Sequence, residues 1–199
     1  MSLVNLNLEA AALGWLRVEK RCKVVTTEAG HWYADVLGAT DLDLYEIEVK
    51  RTVSDMLRDF KEKNKHKLYT SENGGLPDIP NYFYFLVPLP MKEKALAILK
   101  TVNPKYGLLC HDLEGTGHWG ISSGKRAYRI HEIAPTKRTL DGIMYRMCNE
   151  LVNLYLFNST VTYAVENLRS SLDEATGGTA EIGEHLQQAA YKIGEREFA

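Results

Sequence analysis

Apolar side chains recur at helical spacing in the first part of the chain, where Leu8, Ala11, Ala12, Trp15, Leu16 and Val18 fall on one stripe between Leu6 and Arg21, with Asn7 available as N-cap. The period then shortens. Lys23 to Thr27 reads as a short strand, and a Gly30-His31 bend leads into a second at Trp32 to Leu37. Leu44-Tyr45-Glu46-Ile47-Glu48-Val49-Lys50 alternates strictly, so Tyr45, Ile47 and Val49 share one face and Glu46, Glu48 and Lys50 the other. With the turn centred on Asp41-Leu42, an antiparallel hairpin sets Asp35 across from Glu48, at roughly 5 Å between Cβ atoms.

Helical spacing returns with Val53, Met56, Leu57 and Phe60, predicting an amphipathic helix from Val53 to His66 that starts near Thr52 or Ser54. A loop from Tyr69 to Pro80 follows. The continuous apolar run Tyr82 to Val87 predicts a buried strand, Met91 to Lys100 a helix, and Gly107 to Cys110 another strand. Short strands are expected at His118–Ile121 and Ala127–Ile133. Helices are expected at Leu140–Phe157 and Thr160 to about Ala175, and, past Gly177-Gly178, an amphipathic piece from Ala180 to Phe198. No repeat interrupts this order. It describes an α/β fold, a mixed sheet with flanking helices followed by a helical C-terminal third.

Composition narrows the class. At 199 residues, with 45% hydrophobic and 25% charged residues, the chain suits one globular domain with a helical appendage. No run of about 18 apolar residues is present and the N-terminus lacks signal-peptide zoning, so the expected compartment is the cytoplasm, without a membrane. Cys22, Cys110 and Cys148 are odd in number and far apart, which argues against a disulfide scaffold and a zinc ribbon. The net charge of −2 conceals an asymmetry: Lys50 to Lys67 holds seven basic residues against three acids, whereas Glu166 to Ala199 holds seven acids against three bases. A phosphate backbone favours the first region.

Two acids and a lysine on one strand face repel and attract in a way that a divalent cation resolves. Asp35, Glu48-Val49-Lys50 on the next strand, a polar helix and the strand Tyr82-Phe83-Tyr84-Phe85-Leu86-Val87 resemble the PD-(D/E)xK nuclease superfamily, in particular its small stand-alone bacterial and phage members linked to DNA repair. The resemblance spans about residues 5 to 135 and departs from the name-giving motif in having Ala34 before the aspartate. It implies a restriction-endonuclease-like core over 1–135, beyond which the residue pattern gives C-terminal helices packed on the core over 136–176 and a helical tail over 177–199.

The implied activity is metal-dependent hydrolysis of DNA phosphodiesters, by an endonuclease or exonuclease in repair, recombination or phage DNA processing. Asp35, Glu48 and the Val49 carbonyl would hold magnesium, with manganese as substitute, and Lys50 would stabilise the transition state. Glu9 on the first helix is a further candidate ligand. Arg51, Ser54, Lys61, Lys63 and Lys65 are the candidate DNA contacts. Spacing alone favours a solvated strand face with weak salt bridges, and the surrounding element order favours a site. Replacing Asp35 or Glu48 by Ala should therefore remove activity, relieve repulsion and keep the fold. Three alternatives stay open: a catalytically silent nuclease-fold protein that binds nucleic acid or a protein partner, a sugar hydrolase working through the carboxylate pair, and a homodimer built through the C-terminal helices.

Overall fold

The computed structural model describes residues 3–29, 34–70, 79–112 and 118–176. The chain divides into two compact units, Met1–Glu150 and Leu151–Ala199. The expected helix at Ala180–Phe198 and the Gly30-His31 bend lie outside the described residues.

In the first unit, a six-stranded mixed sheet runs in chain order: β1 (Val24–Ala29), β2 (Ala34–Ala39), β3 (Leu44–Val49), β4 (Tyr82–Pro88), β5 (Gly107–His111) and β6 (Ile121–Lys125). The pairs β1·β2, β2·β3 and β5·β6 are antiparallel, and β3·β4 and β4·β5 are parallel. The β2–β3 turn closes through Thr40, whose Oγ1 accepts from the Leu42 and Asp43 N–H groups at 3.2 and 2.9 Å. That turn sets the register. Val36 pairs with Ile47 and Leu37 with Glu46, so one further step along the ladder puts Asp35 opposite Glu48, as the alternation predicts.

Helix α1 (Leu3–Val18) covers one face, packing Leu8, Ala12, Trp15 and Leu16 on Val36, Ile47, Tyr84 and Leu86. The opposite face carries α2 (Val53–Glu62), α3 (Lys65–Thr70) and α4 (Lys92–Val102), with Met56, Tyr69, Phe83, Phe85, Leu99 and Tyr106 buried between. Both faces of β3 are consequently covered. The alternation that reads as a half-solvated strand is a strand whose polar face is enclosed.

Three expectations are corrected. The single helix over Val53–His66 is two, because α2 ends at Glu62 and Lys63 caps it in extended conformation (φ −89°, ψ 110°) before α3 begins. The two short strands expected at His118–Ile121 and Ala127–Ile133 give way to one, β6, preceded by a turn of 3-10 helix at His118–Gly120. The two C-terminal helices are one, α5 (Lys137–Thr176), since Asn158 and Ser159 continue it: the Ser159 hydroxyl donates back to the Tyr155 carbonyl at 2.9 Å. Within the first unit, Leu140 and Ile143 of α5 pack on Leu37, Ala39 and Leu44. Cys22 and Cys110 are buried thiols and Cys148 is exposed. Among the described residues no helix is long and apolar enough to cross a membrane.

Candidate active site

The sheet register brings the sequence-predicted triad together. Lys50 Nζ lies 2.6 Å from Glu48 Oε2 and 3.7 Å from Asp35 Oδ2. Asp35 Oδ2 also accepts the Val49 N–H at 2.8 Å, which fixes the carboxylate across the two strands. A cavity of about 480 Å³ opens here, lined by Glu9 of α1, Asp35, Val49, Lys50 and Arg51, and by Asp55, Arg58, Asp59, Glu62 and Lys63. Acids and bases both line it.

Burial, and next the neighbouring Glu48 charge, push the Asp35 carboxyl up to about 6. Glu9 is likewise raised, by burial and then by Asp35, so these two carboxyls feel each other across the cavity. Glu48 behaves differently. Burial alone would raise it, but the Lys65, Lys50 and Lys63 ammoniums outweigh burial and hold it below the usual carboxylate range. Neighbouring acids keep Lys50 charged: desolvation works against the ammonium, while Glu48, Asp35 and Asp59 raise it.

The fully buried Glu48 is a hub of cations. Its Oε2 accepts from Lys50 and Lys63, each at 2.6 Å, and its Oε1 accepts from Lys65. Lys65, only 1% exposed, also donates to Glu46 at 2.6 Å, and Glu46 in turn accepts the Tyr69 hydroxyl at 2.7 Å. Those two acids push the Lys65 ammonium up to about 12 against the effect of burial. Lys65 is therefore an interior residue rather than a surface contact for DNA. Glu46, on the same strand face as Glu48, is buried as well. Since three cations surround Glu48, its removal exposes positive charge to the interior instead of relieving repulsion, which reverses the expectation that Glu48→Ala leaves the fold untouched.

Asp59 and His66 complete the set, and sequence reading missed both. Asp59 Oδ2 lies 2.7 Å from Lys50 Nζ and 3.0 Å from Lys63 Nζ. Its Oδ1 is 2.6 Å from His66 Nε2, while His66 Nδ1 is 3.0 Å from the Tyr106 hydroxyl. A carboxylate only accepts, so Nε2 carries the hydrogen and, in the neutral ring, Nδ1 accepts from Tyr106. The ring sits among Phe60, Phe83 and Tyr106, with centroids 4.7, 5.5 and 5.6 Å away. One signal was available: Asp59 falls three residues after Met56, on the apolar stripe of α2, where an acid needs an interior partner.

Of the candidate DNA contacts, Arg51 and Lys63 line the cavity. Ser54 and Lys61 are exposed and stand outside its lining. The helix cap belongs to Thr52, whose Oγ1 accepts the Asp55 N–H at 3.1 Å. Among the described residues, no group of three or more His, Cys, Asp and Glu is placed to hold a metal ion. Two hard oxygen donors, Glu9 and Asp35, nevertheless line one cavity, and the Asp35 charge raises Glu9. That pair suits magnesium, which keeps most of its waters and takes one or two carboxylates together with substrate phosphate. Glu48, with both oxygens committed to ammoniums, does not fit as a ligand in this arrangement.

No family model matches the chain, and no curated protein matches it. Among solved structures, a protein of unknown function from Silicibacter pomeroyi is similar at 13% identity and a TM-score of 0.45, covering 73% of this chain and 86% of that one.

Proposed function

We propose that this protein is a metal-dependent nuclease that hydrolyses DNA phosphodiester bonds. The observation that supports it best is the cavity in which Glu9 and Asp35 face Lys50, Arg51, Arg58 and Lys63. Acids alone would repel a phosphate and bases alone would bind it without activating water. Both are needed within a few ångströms. A bound magnesium ion, held by Asp35 and Glu9, would neutralise phosphate charge and lower the pKa of its water. Lys50, fixed by Glu48 and Asp59, presents its ammonium where negative charge grows on the phosphoryl oxygens as water adds and the P–O bond breaks. Arg51, Arg58 and Lys63 hold adjoining phosphates in place.

The test is cleavage of a panel of labelled single-stranded, duplex and junction DNAs and of RNA, with magnesium, with manganese and with chelator, for the wild type and Asp35→Asn. Cleavage lost in chelator and in Asp35→Asn is expected. Cleavage that persists in both would overturn the proposal. A second reading, a nucleic-acid-binding protein that hydrolyses nothing, is favoured by the saturation of Glu48 with three lysines. Tight binding to the panel with no product in either metal would select it.

A further inference from the structure

The second unit begins with a helical segment that leaves its apolar residues in solvent. Leu151, Leu154, Val161, Val165 and Leu168 of α5 are all exposed, Leu168 by 69%. Chance scatter would place such residues around the helix at random. Here five of the ten exposed large apolar residues from Leu151 to Leu168 keep a seven-residue repeat: Leu151 and Val165, with Asn158 and Leu172, occupy one position of a heptad, and Leu154, Val161 and Leu168, with Ala175, the position three further on. These are the a and d positions of a coiled coil. The register exists only because the helix continues unbroken through Asn158 and Ser159.

We propose that this segment of α5 pairs with the same segment of a second copy of the chain as a parallel, two-stranded coiled coil. Three observations select that occupant. First, the helix that carries these positions runs from Leu151 to Thr176, about 39 Å at 1.5 Å per residue. Burying half of a helix circumference of roughly 35 Å over that length removes about 700 Å² per chain, close to the ~800 Å² per partner of a stable interface. Second, the one polar residue in the seam is Asn158, at an a position. A buried asparagine there specifies register and strand number, because it finds its hydrogen-bond partner in the facing asparagine of an in-register parallel dimer. Third, charge is kept off the seam. No charged residue occurs from Leu151 to Val165, and Glu166, Arg169, Asp173 and Glu174 all fall outside a and d. Tyr155 and Phe157 flank the seam at e and g and widen it, whereas Val152, Leu156 and Tyr163 lie outside it.

The mass of the full chain in solution, by light scattering and sedimentation, tests this. Twice the 22.5 kDa chain mass is expected at micromolar concentration. Leu154→Glu with Leu168→Glu should yield monomer with the far-UV spectrum of the first unit retained. Asn158→Leu should abolish the two-strand restriction and give higher oligomers. Val161→Cys in a Cys148→Ser background should oxidise to a covalent dimer, since identical d positions face each other only in a parallel in-register pair. A monomeric wild type, as when residues 177–199 cover the seam within one chain, would overturn the proposal. So would a trimer or tetramer, or a dimer indifferent to Leu154→Glu and Leu168→Glu.

Discussion

Glu48→Ala should be among the most destabilising substitutions in the first unit, although it removes a single carboxylate from a strand that reads as half-exposed. Glu48, Glu46 and Asp59 balance Lys50, Lys63 and Lys65 in the enclosed network. Without Glu48 the three ammoniums lose their shared acceptor, and within the enclosed set, leaving aside the part-exposed Asp35 at 3.7 Å from Lys50, one positive charge is left over. Breaking a buried pair by deleting one partner costs about 3–5 kcal/mol. The lower end applies, because each lysine keeps a second acid: Lys50 and Lys63 retain Asp59, and Lys65 retains Glu46. About 3 kcal/mol is a large share of the ~5–15 kcal/mol available to a domain. The assay is urea unfolding at pH 7, followed by tryptophan fluorescence from the buried Trp15. Lys63→Ala provides the control, since its side chain is 33% exposed and its loss should cost about 1 kcal/mol or less. Adding Lys65→Met to Glu48→Gln should recover part of the loss by removing the surplus charge. The sign with pH follows from the depressed Glu48 value: its contribution is present above the ordinary glutamate pKa and disappears as pH falls through the lower folded one. If Glu48→Ala costs under ~1 kcal/mol, the lysines are hydrated and the network is not holding the fold.

Asp35 should behave in the opposite sense. Its folded pKa near 6 exceeds the ordinary 3.8, so stability falls as pH rises across that interval, and Asp35→Asn should raise the melting temperature at pH 8 but not at pH 4. A lower melting temperature at pH 8 would contradict this. Lys50→Met should reduce single-turnover cleavage about 10²–10³-fold with DNA affinity nearly unchanged, and an equal loss in both would assign Lys50 to binding alone. Arg58→Gln with Lys61→Gln, on exposed side chains, should flatten the salt dependence of DNA binding by roughly two units of log–log slope while single-turnover cleavage at saturating DNA stays the same. An unaltered slope would place the DNA path elsewhere.

The meeting of Asp35 with Lys50 was legible because two local rules fix it: the side-chain period of two, and a turn too short to shift the register. Glu46 and Lys65 were not legible. An alternating strand looks the same whether its polar face meets water or meets α3, and the decision depends on where α2 stops, which is set by the extended conformation at Lys63. Counting lysines along a supposed single helix therefore put Lys65 outside with Lys61. The unbroken α5 was missed for a related reason, since Asn158 and Ser159 favour helix ends in isolation, whereas here the Ser159 hydroxyl donates back to the Tyr155 carbonyl and the Thr162 hydroxyl to the Asn158 carbonyl.

The charged network from Asp35 to His66 comes from one uninterrupted stretch of chain, with Glu9 contributed from outside it. The later strands and α4 support that stretch through apolar packing, which tolerates exchange among side chains of similar volume. Divergence within such a lineage is thus unequally permitted: insertions between α2 and α3 would separate Lys65 from its acids, whereas the sheet beyond β4, apart from Tyr106 on His66, is free to drift. A search for distant kin is better served by the spacing of Asp35, Glu46, Glu48, Lys50, Asp59, Lys63, Lys65 and His66 than by overall identity.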